Sequence, residues 1–304
     1  LLAQQQLMIN VASAYYGILR DQILIDVNER ALERARLLLQ AAEAKLEVGM
    51  ASKMDVFRAE LQVLTAENGM VDAAESFENT RRRFNLLLGA DLETDVALSS
   101  QLEYTPMTVN KDLLVQQALE NRLEILNEQE NVEEAERRVK IAKQNLYPPL
   151  DVTVQYTWSG EGNAFEDSLD IETSFWGIGL RSSFDLNLAQ ERAAYQQAQL
   201  SLNSAVRSLE STRQDVMLEV LQTITSVQQA QARVQLQERS VLQAEKQLEL
   251  SQLRYKKGLS DNLDVIDAEE ALMQAKSSYY SAIVQHLIAK MKLKQATGTL
   301  DVPF

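Results

Sequence analysis

The sequence predicts a mainly α-helical fold in which two long antiparallel helical hairpins, copies of each other, are separated by a β-hairpin. Three observations support this: an apolar heptad repeat, a self-match at a separation of 209 residues, and one central segment with strand-like alternation. The two copies occupy residues 1–92 and 188–298, and residues 299–304 form a tail. A repeat that keeps its heptad register and its glycines is typical of a duplicated helical hairpin.

The heptad repeat predicts the seams along which the helices pack. In the first copy the apolar positions are Val11, Ile18, Ile25, Leu32, Leu39 and Leu46, then Val56, Val63, Met70, Phe77 and Phe84. Their equivalents in the second copy are Val220, Val227, Val234, Val241, Leu248 and Tyr255, then Val265, Leu272, Tyr279, His286 and Leu293. Alanines recur every seven residues at another heptad position, as in Ala59, Ala66 and Ala73. Small residues there let neighbouring helices approach closely.

Glycines mark the predicted helix ends. Residues 1–48 are predicted to form one helix that ends at Gly49, because glycine adopts the left-handed conformation that terminates helices. A second helix should run from Ser52 to Leu88, before Gly89. Gly258 and Gly298 are the equivalents of the two glycines in the second copy.

Residues 93–146 form the connection between the first copy and the β-hairpin. The heptad pattern is lost over 93–112, which predicts an irregular segment. Asn110 is predicted to cap a single helix over 111–146, which the prolines at 148 and 149 would stop.

The β-hairpin is predicted within residues 147–187. Apolar and polar residues alternate from 150 to 158, and a second alternating segment follows a polar loop. The residues predicted to face lipid lie on one face: Val152, Val154, Tyr156, Trp158, Trp176, Ile178, Leu180 and Phe184. Strands of about 9–11 residues with one apolar face suit a membrane β-barrel. One hairpin cannot close a barrel, and the repeat predicts an equivalent hairpin upstream of Leu1.

Composition argues against several classes of function. The net charge of -14 opposes binding to nucleic acid, and the absence of cysteine removes disulfides and thiolate metal sites. No apolar run reaches the roughly 18 residues of a membrane-spanning helix. The one histidine, His286, lies on the apolar ladder, where a packing role is expected. We therefore predict no catalytic residue, cofactor or metal site. Packing is the expected role of the eight methionines, with export of copper or silver as an alternative.

Three carboxylates near the glycine turns are candidate functional groups. Asp55 and Asp264 are equivalent positions near helix starts, so each could either bind free backbone N–H groups or line an aperture. Asp267 differs, because its equivalent in the first copy is Arg58. Asp264 and Asp267 are three residues apart on a helix and share a face.

Several of these features resemble the TolC family of outer membrane efflux proteins. The family-like strings are Gly49…Ser52…Asp55-Val56…Ala59…Leu61, then Asn121-Arg122-Leu123-Glu124-Ile125, Tyr147-Pro148-Pro149-Leu150, and Gly258-Leu259…Asp264-Val265-Ile266-Asp267-Ala268. Leu123 replaces a proline of the family pattern. The resemblance extends over nearly the whole chain, and the order and duplication of the motifs make it specific.

The resemblance implies a homotrimeric exit duct in the outer membrane of a Gram-negative bacterium, for efflux or type I secretion. Each chain would add strands to a shared β-barrel, and its helices would form a tunnel in the periplasm. The turns at Gly49, Met50, Gly258 and Leu259 would dock onto a periplasmic adaptor and an inner membrane transporter. The periplasmic aperture would be formed by Asp55, Asp264, Asp267 and Tyr255, with Ser260 where the family has an arginine. The alternative is a pore-less periplasmic coiled-coil adaptor or scaffold.

Overall fold

The computed structural model describes residues 2–98, 101–159, 173–183 and 187–300. Its elements are α1 (Leu2–Glu47), α2 (Lys53–Leu88), α3 (Lys111–Asn121), α4 (Leu123–Gln144), β1 (Leu150–Ser159), β2 (Thr173–Ser182), α5 (Ala189–Lys256) and α6 (Leu263–Ala296). The predicted mainly helical fold with one β-hairpin is confirmed. The 68 residues of α5 correspond to a helix of roughly 100 Å at ~1.5 Å per residue.

The helix break at Arg122 is the main difference from the prediction. The single helix predicted over 111–146 is wrong, because α3 ends at Asn121 and α4 begins at Leu123. Arg122 has an extended backbone (φ -71°, ψ 125°), and its side chain donates to the carbonyl oxygen of Ala296 at 3.3 Å and to Glu219 at 2.8 Å. These side-chain hydrogen bonds to α5 and α6 stabilise the break between α3 and α4. The predicted cap is confirmed, since the Asn110 side chain accepts from the Leu113 N–H at 3.3 Å.

The chain forms two compact units, residues 1–122 with 216–304 and residues 123–215. In the first unit, α1 packs along α2 and also against α6. One apolar cluster joins all four long helices near the turns; it includes Leu38, Ala42, Val56, Ala59, Leu248, Val265, Ala268 and Leu272. None of the predicted ladder residues is exposed, and the alanines at heptad spacing in α6, from Ala268 to Ala296, are buried. The predicted seams are therefore present.

A segment before α3 crosses α6 at His286. The buried His286 ring donates from Nε2 to the carbonyl oxygen of Thr105 at 3.3 Å, and Tyr104 meets the ring edge-on at 5.2 Å between centroids. Lys290 donates to the Thr105 hydroxyl at 3.1 Å. Burial lowers the pKa of His286, the carbonyl hydrogen bond raises it less, and Lys290 adds to the decrease. His286 is thus a neutral packing residue that also anchors the crossing segment.

The second unit contains the β-hairpin. β1 and β2 pair antiparallel, with Val152 opposite Leu180, Val154 opposite Ile178 and Tyr156 opposite Trp176. Directly opposed residues lie on the same face of a sheet, so this register puts the predicted apolar residues of both strands on one face. β2 ends at Ser182, and the predicted lipid-facing residue Phe184 lies outside the described residues.

None of the described helices combines the length and apolar character that a transmembrane helix requires.

Candidate functional site at the hairpin turns

The turns at Gly49 and Gly258 have the same backbone structure. Both glycines have φ of 72°, the left-handed region that side chains disfavour. Gly49 N–H donates to the Leu46 carbonyl at 3.0 Å and Met50 N–H to the Lys45 carbonyl at 2.7 Å. Gly258 and Leu259 make the equivalent bonds at 3.0 and 2.9 Å. This pair of bonds is the Schellman motif, and it ends α1 and α5 in the same way.

The turn tips expose apolar side chains. Met50 is 73% exposed and Leu259 67% exposed. These are the residues predicted from the resemblance to dock a partner, and their exposure leaves them available for one. Docking itself remains a prediction.

Asp55 caps the start of α2. Its N–H donates to the Ser52 hydroxyl oxygen at 3.2 Å, and its carboxylate accepts from the Ser52 N–H at 2.8 Å, which completes a capping box. These Ser52 hydrogen bonds lower the pKa of the Asp55 carboxyl, with smaller contributions from Arg58 and Lys45. The sequence left two interpretations open for Asp55, a contact with free backbone N–H groups or a position at an aperture. The structure shows the contact with backbone N–H groups at the helix start.

Two polar contacts connect the turn regions of the hairpins. The Asn262 amide, fully buried, donates to the Asp55 backbone carbonyl at 2.6 Å. Arg58 lies 3.9 Å from the Asp55 carboxylate and 3.5 Å from that of Asp261. The sequence did not predict these contacts. It did show that the two turns differ, because Arg58 in the first copy is replaced by Asp267 at the equivalent position of the second copy.

Tyr255 lies in the core rather than on an open surface. The residue is 8% exposed, and the Lys45 ammonium lies 3.5 Å from the ring centroid and also donates to the Tyr255 carbonyl oxygen. Burial raises the pKa of the Tyr255 phenol, and the Asp55 charge raises it further. Burial also lowers the pKa of Lys45, against an opposing contribution from Asp55. The buried phenol oxygen has no hydrogen-bond partner among the described residues.

Asp264 and Asp267 both lie on the exposed face of α6. Among the described residues, no basic side chain forms an ion pair with either carboxylate. Asp267 lines an open groove of about 630 Å³ between α1 and α6, together with Leu24, Asn28 and Glu270. One chain therefore brings these two carboxylates to one surface and leaves them without a counter-charge. Their convergence with equivalents from other copies remains a prediction.

The β-hairpin exposes its apolar face. Val152, Val154, Ile178 and Leu180 are 64%, 72%, 67% and 70% exposed, and Tyr156 packs edge-on against Trp158. Thr153 lies opposite Gly179 on the other face. The structure thus places the described residues that were predicted to face lipid on one exposed face of the hairpin.

Within the described ranges, no group of three or more histidine, aspartate and glutamate side chains is placed to hold a metal ion.

Comparison with known proteins identifies the family. A family model described as "Outer membrane efflux protein" matches residues 2–90 and 114–299. The chain is 24% identical to the outer membrane protein TolC of Escherichia coli, over 98% of this chain and 62% of that protein. It is 23% identical to the alkaline protease secretion protein AprF of Pseudomonas aeruginosa, over 98% of this chain and 62% of that protein.

Solved structures show the same fold. The outer membrane channel MtrE of Neisseria gonorrhoeae, solved in its open state, matches with a TM-score of 0.74 and 19% identity, over 98% of this chain and 67% of that one. The chain spans 62% of the length of each of the two relatives TolC and AprF. Since the family model matches most of the sequence, this chain belongs to the outer membrane efflux protein family.

Proposed function

We propose that this chain is a subunit of an outer membrane exit duct for efflux or type I secretion. The duct is passive, and its partners supply the energy. The observation that carries the proposal is a β-hairpin with one exposed apolar face, in a chain that belongs to a family of outer membrane efflux proteins. Its two strands are ten residues each, which matches the length needed to cross a bilayer. In this proposal the helices lie in the periplasm.

The hairpin supports assembly with further copies. In lipid, each backbone N–H and C=O group must find a partner within the protein, and a two-stranded sheet leaves both outer edges open. A closed barrel removes those edges. A homotrimer that shares one barrel satisfies this requirement and places the helical hairpins around a common axis.

The turn end of the hairpins is the periplasmic end of the duct. Asp264 and Asp267, on one exposed surface of α6, line the aperture, where three copies bring six carboxylates together (two from each). Such a ring attracts cations and repels anions. The exposed turns at Met50 and Leu259 dock onto a periplasmic adaptor, which connects the duct to an inner membrane transporter.

The exit duct is favoured over a pore-less periplasmic adaptor by the exposed strand hairpin. An adaptor that stays in water has no use for four aliphatic side chains that are each at least 64% exposed on one face. Besides AprF, which is named for protease secretion, two relatives from Pseudomonas putida are named for antibiotic efflux and for solvent efflux, so both classes of cargo fit the family. The chain carries no catalytic step in this proposal.

Outer membrane insertion of two arginine variants tests the proposal. In Val154→Arg the charge meets lipid near mid-depth, which should cost about 2–4 kcal/mol, whereas Thr153→Arg places the same charge on the opposite face at little cost. Fractionation of cells that express the full-length protein should show much less folded Val154→Arg than Thr153→Arg in the outer membrane. Equal insertion of the two variants would refute a lipid-facing role for Val154.

A further inference from the structure

A pocket lies where the β-hairpin joins the helices on either side of it. It has a volume of about 450 Å³, and all the residues that line it belong to the second unit. Tyr147, Pro148 and Pro149 come from the segment that leads into β1, whereas Leu188 and Glu191 come from the start of α5. The volume is within the range of pockets that bind small molecules.

Glu191 carries the only charge among the residues that line this pocket. The residue is half-buried, and its carboxylate oxygen Oε2 is inaccessible to solvent and has no hydrogen-bond partner in the described part of the chain. A carboxylate oxygen that is withdrawn from water without a partner is unfavourable. The pocket therefore favours a ligand that donates a hydrogen bond and carries a positive charge.

The walls of the pocket are poorly suited to an anion. None of the residues that line it is basic. Pro148 and Pro149 have no N–H group to donate. The N–H of Tyr147 is already used, because it donates to the carbonyl oxygen of Gln144 at 2.9 Å. A phosphate or carboxylate group would thus face Glu191 with little compensation.

Tyr147 adds an aromatic surface beside the carboxylate. The residue is 66% exposed, so its ring is available to a ligand. An aromatic face attracts ammonium groups, and a carboxylate next to it strengthens that attraction. A primary ammonium has three N–H donors and can satisfy Glu191 while it contacts the ring. A quaternary ammonium has no N–H donor and would leave Oε2 without a hydrogen bond.

The pocket adjoins the ends of both strands. Pro149 lines it, and the next residue, Leu150, begins β1 and is 64% exposed. Leu150 is two residues before Val152 and so lies on the same face of the strand. At the end of β2, the Ser182 hydroxyl donates to the carbonyl oxygen of Pro149 at 3.0 Å. If the strands cross the membrane, the pocket lies at the level of the lipid headgroups.

We propose that this pocket binds the primary ammonium of an ethanolamine phospholipid at the periplasmic surface of the outer membrane. Glu191 accepts a hydrogen bond from the ammonium, and the Tyr147 ring covers it. The bound headgroup holds the strand ends at the bilayer surface. This inference rests on the membrane-crossing hairpin of the function proposed above, and it adds a lipid of defined chemistry to the partners of the duct.

Lipid retention by the full-length protein tests the charge of the site. Native mass spectrometry of detergent-purified protein would compare lipids that have the same acyl chains and ethanolamine, choline or glycerol headgroups. The ethanolamine lipid should be retained about tenfold better than the other two, as expected for one charge-assisted hydrogen bond. Glu191→Gln should abolish this preference. The matched control is Glu136→Gln on α4, which removes the same charge at an exposed position outside the pocket and should keep it.

Equal retention of the three lipids would overturn the proposal, and so would a preference that survives Glu191→Gln. Two variants of Tyr147 test the site without changing its charge. Tyr147→Phe keeps the aromatic face and should retain the ethanolamine lipid, whereas Tyr147→Leu should lose most of it. Equal retention by these two variants, with circular dichroism that matches the unmodified protein, would refute the ring contact.

Free ethanolamine distinguishes a lipid from a soluble amine. It carries the same ammonium without acyl chains, so millimolar ethanolamine should displace little of the bound lipid. Complete displacement would mean that the pocket takes soluble amines, which would overturn the lipid assignment. The failure of this inference is distinct from that of the proposed function. A protein that inserts correctly but shows no headgroup preference refutes only the pocket, whereas equal insertion of Val154→Arg and Thr153→Arg refutes the lipid-facing hairpin.

Discussion

Gly298 and Gly89 provide a matched pair for testing how α6 is held at its far end. They are equivalent positions with nearly equal backbone conformations, at φ of 67° and 69°, and both end a helix with the same pair of turn hydrogen bonds. They differ in their surroundings. A Cβ atom added at Gly89 meets nothing within 4 Å, whereas one added at Gly298 lies 2.9 Å from Cβ and 3.0 Å from the carbonyl carbon and oxygen of Asn121.

The expected cost follows from these contacts. Either alanine substitution should cost about 1–2 kcal/mol for placing a side chain in the left-handed region. Gly298→Ala should cost a further ~1–3 kcal/mol, because the Asn121 backbone must move to relieve the overlap. That backbone precedes Arg122, which is bonded to α5 and α6, so the contact has little freedom to relax.

Urea unfolding of the two variants, monitored by helical circular dichroism, measures this difference. We expect both midpoints to fall, with the Gly298→Ala midpoint clearly lower and similar urea dependence in both proteins. Adding Asn121→Gly should recover part of the Gly298→Ala loss by removing one of the overlapping atoms. Equal losses for the two alanine variants would refute the close packing of Gly298 against Asn121.

Three further predictions concern the aperture, the turns and His286. The double variant Asp264→Asn/Asp267→Asn should weaken the cation selectivity of the reconstituted duct and its block by trivalent cations, both measured from single-channel currents. A well-folded double variant with unchanged selectivity and block would exclude an aperture role. Cysteines placed at Met50 and Leu259 should crosslink to the adaptor in cells, and they should not react with a membrane-impermeant thiol label added outside. Strong labelling of these cysteines in intact cells would contradict a periplasmic location. Because the pKa of His286 is lowered in the fold, the stability it supports is present above pH ~6.5 and is lost as the pH falls through the folded pKa. His286→Phe should flatten this part of the pH dependence of urea unfolding, and an unchanged slope would show that His286 is not responsible.

The sequence was sufficient to predict the long helices because their signals are local and repeated. Gly49 and Gly258 end their helices as predicted, and the ladder residues are buried or half-buried. The break at Arg122 was missed because Leu123 stands where the family pattern has a proline, so no proline or glycine marks it. Tertiary hydrogen bonds to Ala296 and Glu219 stabilise it instead. A one-dimensional pattern carries no information about such bonds.

The candidate site was predicted less completely. The sequence located the residues of the turns, but it did not show that Lys45 covers Tyr255 or that Asn262 reaches the Asp55 carbonyl. Both contacts join positions more than 200 residues apart, so they depend on how the hairpins pack. The proposed aperture would be formed by several copies of the chain, so it cannot be derived from the contacts of one chain.

The capping box of α2 suggests how the two copies diverged after duplication. The Asp55 carboxylate caps α2, whereas α6 begins one position later in the repeat. The first N–H of α6, that of Leu263, donates to the Asp261 carboxylate. This offset moves Asp264 out of the position that a capping box requires. Asp55 therefore has a role at its helix start that Asp264 does not share. Substitution of Asp264 should leave the start of α6 intact, whereas substitution of Asp55 removes half of a capping box.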